Sequence, residues 1–351
     1  MQSAAQPSFL DRVVASLFGG GQPRVSDETD RQLIADTIEA VVDTVEPRVR
    51  LDARYRAKLE GCVRNTIAHL RAIAREPLEP VLLARAAWSD DPYLNSFFAR
   101  GGDVPACIGR SRELRAFFDN PTNAEVQEAY ALLGMKKEER SVFAPQLAGD
   151  TLQHDVAQVT VSFSEHRLIA PAATLAATRL EIGKRIIQRL AQVALSRIIA
   201  LDTKATELQE HKAFLAARMR LLNLARDGME GIVKDPATIS EQMKAVEREL
   251  KETVDDYIET KSSLATLDGY IGQIDDVFSH ADQHVTLTHT PVRISSLGFK
   301  VDAAATGPVN ALTLAELSLG ENLRGAIALV RCPRSELPPK EDLMANAERY
   351  L

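Results

Sequence analysis

Residues 278–301 read FSHADQHVTLTHTPVRISSLGFKV, and the texture of the chain changes inside this stretch. Up to Phe278 apolar residues recur at threes and fours; from Val285 they alternate with polar ones. A period near 3.6 spells helix and a period of 2 spells strand. The chain is therefore expected to be mainly α, with a small antiparallel β module at its C-terminal end.

Upstream of the switch, no proline occurs between Ala172 and Arg226, and apolar residues keep the helical spacing throughout. From Leu201, the residues Ala205, Leu208, Lys212, Leu215, Met219 and Leu222 alternate strictly by four and three, the seam of a coiled coil. Such a helix is roughly 80 Å long at 1.5 Å per residue. Asp227-Gly228 and Gly231 break it, and Asp235-Pro236 opens a second helix that carries Ile239, Met243, Val246, Leu250, Val254, Tyr257 and so on to Phe278. A short break between two such helices predicts a long antiparallel coiled-coil hairpin over 171–280. The first helix has further apolar residues, Ile186, Val193, Leu195 and Ile199, which one partner helix cannot cover. Either N-terminal helices or a second copy of the chain must cover them, and a homo-oligomer is expected.

Residues 1–23 form an amphipathic segment. Phe9, Leu10, Val13, Val14, Leu17 and Phe18 share one face of a short helix over 8–18, which can cap the protein's own core, dock in a partner's groove or lie on a membrane surface. A helical domain is expected over 24–145. Its first helix starts near Ser26-Asp27-Glu28 and stops at Glu46-Pro47; its second runs from about Leu51 to Arg75 with a basic outer face interrupted by Asp52 and Glu60. Asp90-Asp91-Pro92 and Asp103-Val104-Pro105 read as helix starts, and Trp88, Tyr93, Phe97, Phe98, Phe117 and Phe118 as an aromatic core; the alternative is a pocket lined by Trp88, Asp90, Asp91, Arg110 and Arg112. A further helix is expected over about 122–134. Residues 146–170 read as a strand-containing linker, because 155–164 alternates Val159, Val161 and Phe163 with polar residues; an isolated strand needs a partner, in the C-terminal sheet or in another copy.

Residues 281–338 contain four or five short strands, VTLTHT, PVRISSLGFKV, VNALTLAELSLG and RGAIALVRCPR, and a helix is expected over 339–351. Within 283–334, ISSLGFKV, the turn at Gly307-Pro308, VNALTLAEL and RGAIALVRC resemble the later strands of PilZ-type domains. That resemblance implies a small β-barrel and, in many members, a site for cyclic di-GMP. The family's binding signature pairs an Arg-x-x-x-Arg with an Asp/Asn-x-Ser-x-x-Gly turn. Here Ser295 and Gly298 match the turn, Arg293 stands where the acidic or amide residue belongs, and no arginine precedes it among the residues ahead of the strands. The guanidiniums that would clamp phosphates are absent, which puts cyclic di-GMP in doubt and predicts a structural turn.

His280 and His284 have the i, i+4 spacing of a helical zinc pair, with Asp282 or Cys332 to complete a shell; the competing reading is histidines favoured at a helix C-terminus. There is no phosphate-cradling Gly loop and no Gly-x-Ser-x-Gly elbow, and Asp255-Asp256 and Asp275-Asp276 fall on outward helix faces. No catalytic residue and no cofactor are expected. With 42 Lys plus Arg against 49 Asp plus Glu the net charge is −7, which argues against nucleic acid as a partner. Three scattered cysteines, no bilayer-length apolar run and no secretory pattern at the start predict a cytoplasmic protein. The expected function is that of a non-enzymatic scaffold that self-associates through the hairpin and binds a protein partner. A signalling receiver with a degenerate PilZ-like module is the alternative, and a metal-dependent or pocket enzyme a third.

Overall fold

The structure is a computed structural model that describes residues 27–76, 78–148, 151–227, 236–295, 297–301, 309–320 and 323–339. The expected helix over 8–18, the Gly307-Pro308 turn and the helix over 339–351 beyond Pro339 lie outside these residues. In chain order the elements are α1 (Asp27–Val45), α2 (Tyr55–Ala74), β1 (Val81–Leu82), α3 (Pro92–Phe97), α4 (Asp103–Arg110), α5 (Arg112–Asp119), β2 (Glu128–Ala148) and β3 (Thr151–Ala172). They continue with α6 (Leu175–Asp227), α7 (Pro236–Ser262), α8 (Leu267–Ser279), α9 (Ala281–His284), β4 (Val285–Ser295), β5 (Val309–Leu319) and β6 (Arg324–Pro333). The chain is thus mainly α with a β module. None of the described helices is long and apolar enough to cross a membrane.

Two compact units share the chain: the described parts of Met1–Leu33, Ile67–Ile186 and Asp282–Leu351 make one, and Ile34–Thr66 with Ile187–Ala281 make the other. The second unit is helical. Ile38, Val41, Val42 and Val45 of α1, Leu59 and Val63 of α2, and Ile271, Ile274 and Phe278 of α8 are buried in it. Pro47 ends α1, and the Glu46 carboxylate accepts the Arg48 N–H at 3.1 Å to open a short 3-10 turn, so the stop sits where the sequence places it. The basic face of this region is answered by carboxylates: Arg50 meets Glu39 at 3.0 Å and Asp43 at 2.6 Å, Arg56 meets Glu39 at 2.8 Å, Lys58 meets Asp52 and Asp268, and Arg64 meets Glu60.

Along α6, Ala194, Ile198, Leu201, Ala205, Leu208, Lys212, Leu215, Met219 and Leu222 are withdrawn from solvent, and most residues between them are exposed. On α7 the withdrawn row is Ile239, Met243, Val246, Leu250, Thr253, Tyr257 and Thr260, a strict 4–3 spacing in which two threonines fill positions that hydrophobicity alone hides. Asp202 pairs with Lys261 at 3.9 Å, His211 with Glu249 at 3.3 Å, and the Lys212 ammonium lies 4.7 Å from the Tyr257 ring centre. The single helix expected from Pro236 to Phe278 is corrected to two: α7 stops at Ser262 and α8 starts at Leu267, although Leu264 and Leu267 keep the apolar spacing.

The first unit is built on a six-stranded sheet of order β3-β2-β6-β5-β4, antiparallel except where short β1 lies parallel to β6. The helix expected over 122–134 and the helical assignment up to 145 are corrected, since β2 begins at Glu128. Ala, Leu, Glu and Lys in EAYALLGMKKEER favour helix locally, but pairing with β6 on one side and β3 on the other, with Ala129, Ala131, Leu133 and Met135 buried at period 2, overrides that preference. The strand expected at 155–164 is the middle of β3, which pairs with β2 and so belongs to the same sheet as the C-terminal strands; the described residues of 146–170 are no linker but parts of β2 and β3. The VTLTHT and PVRISS strands are one strand, β4, running through Pro291.

One sheet face carries Leu133, Val161, Leu168, Val292, Ile294, Leu312, Leu314, Ala328 and Val330 against Leu94, Phe97, Phe98, Ile108 and Phe118 of the short helices. Keeping Val161 and Leu168 on that face across an odd number of residues requires a bulge. It occurs at Glu165, in the left-handed region at φ +53, where the pairing slips between Lys136 and Gly134. Asp91 caps α3 by accepting the N–H groups of Tyr93 at 2.8 Å and Leu94 at 3.1 Å, as Asp-Pro predicts. The Trp88 indole donates to the Phe98 carbonyl at 2.8 Å. Trp88 packs against the core and Asp91 is a cap, so the aromatic cluster is the core it was first read as.

Residues 299–301 hydrogen-bond on both sides. Ser295 N–H donates to the Phe299 carbonyl at 2.9 Å and Val301 N–H to the Arg293 carbonyl at 2.9 Å, both on β4. Lys300 N–H donates to the Val159 carbonyl at 2.7 Å on β3, and Thr160 bridges Phe299.

Candidate functional site

The turn that carries Ser295 and Gly298 is occupied by its own backbone. Gly298 N–H donates to the Ser295 carbonyl at 2.9 Å, and the Ser295 hydroxyl oxygen accepts the Phe299 N–H at 3.2 Å. Gly298 has φ +82, a conformation open to glycine and strained for other residues, and its carbonyl accepts the Val161 N–H at 2.8 Å. The turn's side-chain oxygen is used by the turn's own backbone, and its glycine docks this corner on β3.

The histidine pair does not form the predicted helical site. α8 ends at Ser279, and His280 is its C-cap with φ −106 and ψ 34, so the i, i+4 phase is broken between His280 and His284. His280 Nδ1 lies 2.8 Å from the Asp276 carbonyl, the role of a histidine at a helix end, while the His284 carbonyl accepts the Gly320 N–H at 2.6 Å. Among the described residues no three His, Cys, Asp or Glu side chains gather in a way that could hold a metal. Cys332 is fully buried in the sheet core. Burial pushes the Cys62 thiol up to about 12 and the Cys107 thiol up to about 11, so both are poor nucleophiles and ligands at neutral pH. His166, beside Ser164 and Glu165 in sequence, stacks on Phe98 at 4.4 Å and shares a hydrogen bond with the Phe97 carbonyl at 2.8 Å. Burial lowers its pKa, and it serves as a core residue.

Sequence reasoning did not single out a cavity in the sheet-containing unit. Its floor is the sheet face opposite the aromatic core, including the cross-strand pairs Leu132–Leu329 and Leu287–Leu317. Its walls come from Ile73 near the end of α2 and Ile182 near the start of α6. The space measures about 580 Å³ when the open solvent at its mouth is included. Among the described residues, the charged ones that line it are Glu76 and Arg179. Glu76 is answered by His289, with Nδ1 at 2.8 Å from Oε2, whereas Arg179 makes no hydrogen bond or ion pair among the described residues. The sequence signal was present in the second apolar face of β4, β5 and β6, but which helices cover that face is a tertiary fact.

A second polar cluster lies at the end of the aromatic-core face. Glu316, on the same side of β5 as Leu312 and Leu314, is 5% exposed and pairs with Lys137 of β2 and, at 2.6 Å, with Arg324 of β6. Burial alone would raise its carboxyl; Lys137 and Arg324 outweigh that and hold it below the usual carboxylate range. No family model matches this chain, and comparison with curated proteins and with solved structures likewise finds no match, so the reading of these sites rests on their own geometry.

Proposed function

We propose that the chain is a non-enzymatic, self-associating interaction protein whose α6 and α7 form an antiparallel coiled-coil hairpin, with a second copy of the chain as its partner. The carrying observation is a further 4–3 row on α6, Phe214, Ala217, Leu221 and Leu224, turned to solvent; Phe214, Leu221 and Leu224 are 61, 67 and 70% exposed. One seam of α6 is already withdrawn from solvent, and the pairs Asp202–Lys261 and His211–Glu249 support the hairpin, so this second row needs another helix. A second copy offers complementary charge. Arg218 and Arg220 flank the row, and the exposed surface of α7 carries Glu252, Asp255, Asp256 and Glu259 around the exposed Ile258. Three free, buried cysteines support a reducing cytoplasm.

Light scattering on the full chain tests the proposal. A mass of at least twice 38.5 kDa is expected, falling to 38.5 kDa in Phe214→Glu/Leu221→Glu with the helical signal unchanged, because both side chains are exposed. A wild-type mass of 38.5 kDa at concentrations up to roughly 100 μM, which a dimer of ordinary affinity would exceed, removes the idea.

A second reading rests on residues 299–301. Their hydrogen bonds to β4 and to β3 support closure of the sheet into a barrel, the architecture that the PilZ resemblance implies. We infer that such a barrel here is a protein-binding or structural module. Calorimetric titration of the full chain with cyclic di-GMP is expected to give no heat, since Ser295 and Gly298 are engaged in the turn. Saturable binding with a micromolar Kd would reverse that inference and make the barrel a live receiver.

A further inference from the structure

We propose that the cavity between the sheet and the flanking segments of α2 and α6 is a binding site for a free, medium-chain carboxylic acid, with its carboxylate on Arg179. Three observations combine. The described lining is apolar apart from Glu76 and Arg179, with Leu70, Ile73, Leu132, Ile182, Leu287 and Leu317 in it, which suits an aliphatic chain. Leu287, Leu317 and Ile182 face this space and are only half-buried although they lie between a sheet and two helices, so apolar surface is left for an apolar occupant. The charge in the lining is uneven: Glu76 is paired with His289 at 2.8 Å, and the Arg179 guanidinium has no partner among the described residues. A guanidinium presents a planar fork of donors that matches a carboxylate, and an alcohol or an alkane cannot use it equally. Binding is reversible and involves no covalent step.

Equilibrium dialysis of the full chain against radiolabelled dodecanoate tests the site. Saturable binding of about one molecule per chain in the micromolar range is expected. Arg179→Gln should weaken it by at least about tenfold, the worth of a charge-assisted hydrogen-bonded pair, with the thermal midpoint unchanged because Arg179 has no partner among the described residues to lose. Ile182→Trp, which fills the cavity from α6, should abolish it, and unlabelled dodecanol should compete far less well than unlabelled dodecanoate. Absent or non-saturable uptake by the wild type, equal affinity in Arg179→Gln, or equal competition by dodecanol would each overturn the proposal. Should Ile182→Trp fail to fold, the Arg179→Gln and dodecanol results still decide it.

Discussion

Glu316→Ala is expected to destabilise the protein by about 3 kcal/mol at neutral pH, because it leaves the Lys137 ammonium without its main partner at the edge of a hydrophobic core. Lys137 is 20% exposed and Glu316 5%, whereas Arg324 is 71% exposed and can return to water, which places the loss at the low end for a buried charge cluster. The three residues sit on three strands, β2, β5 and β6, all on the face that packs the aromatic core. The pH dependence has a definite sign. The folded carboxyl lies below its ordinary value of 4.5, so its stabilisation is complete above that value and is lost as the pH falls through the lower, folded-state value. Urea unfolding of wild type and variant should therefore show a gap that is widest at neutral pH and narrows below a pH of about 4. A gap that stays constant across that range would mean that packing, not charge, is what Glu316 contributes.

Gly269→Ala is the second large effect expected, a loss of about 3 kcal/mol or failure to fold, at the upper end of overpacking costs. A Cβ at this position would lie 2.0 Å from the Ser263 carbonyl oxygen, 2.9 Å from its carbon and 3.3 Å from the Leu264 Cα. All three are backbone atoms of the turn between α7 and α8, and Gly269 N–H itself donates to Thr266 at 3.0 Å, so the turn has no flexible side chain to move aside. Gly272, one turn on in the same helix, provides the control. Nothing lies within 4 Å of its added Cβ, and Gly272→Ala should stabilise α8 by roughly 0.5–1 kcal/mol through lower chain entropy in the unfolded state. Thermal or urea melts compare the two directly. Equal, small effects at both positions would show that the turn before Gly269 yields more easily than its geometry implies.

These two residues mark the boundary of what the sequence reveals. The 4–3 row of α6, the helical spacing of α7, the Glu46-Pro47 stop, the Asp91-Pro92 start and the alternation in β4, β5 and β6 follow from periodicity and caps, which are local properties of the chain. Thr253 and Thr260 are buried on α7 where Val254 is the residue expected, because their place is fixed by the phase of the helix and not by their own hydrophobicity. β2 is hidden for the opposite reason: its Ala, Leu, Glu and Lys carry helix propensity, and only pairing with β3 and β6 makes it a strand. The break at 263–266 falls inside an unbroken apolar pattern, and Gly269 reads as an ordinary helix glycine until the Ser263 carbonyl is placed over it.

The sites divide the same way. Ser295 and Gly298 could be named from a spacing, and His280 and His284 from another, yet the use of a turn's donors and the end of a helix at Ser279 are decided by neighbours in space. Arg179 and Glu76 are 103 positions apart in the chain, and Glu316 and Lys137 stand on strands distant in the chain. By itself the sequence determined the periodic elements, the acidic net charge and the alternation of residues between the two faces of the C-terminal strands. Only the tertiary structure decided which helices cover those faces, where a cavity is left between them and which buried charge is answered, because burial and pairing depend on contacts between segments that local spacing does not encode.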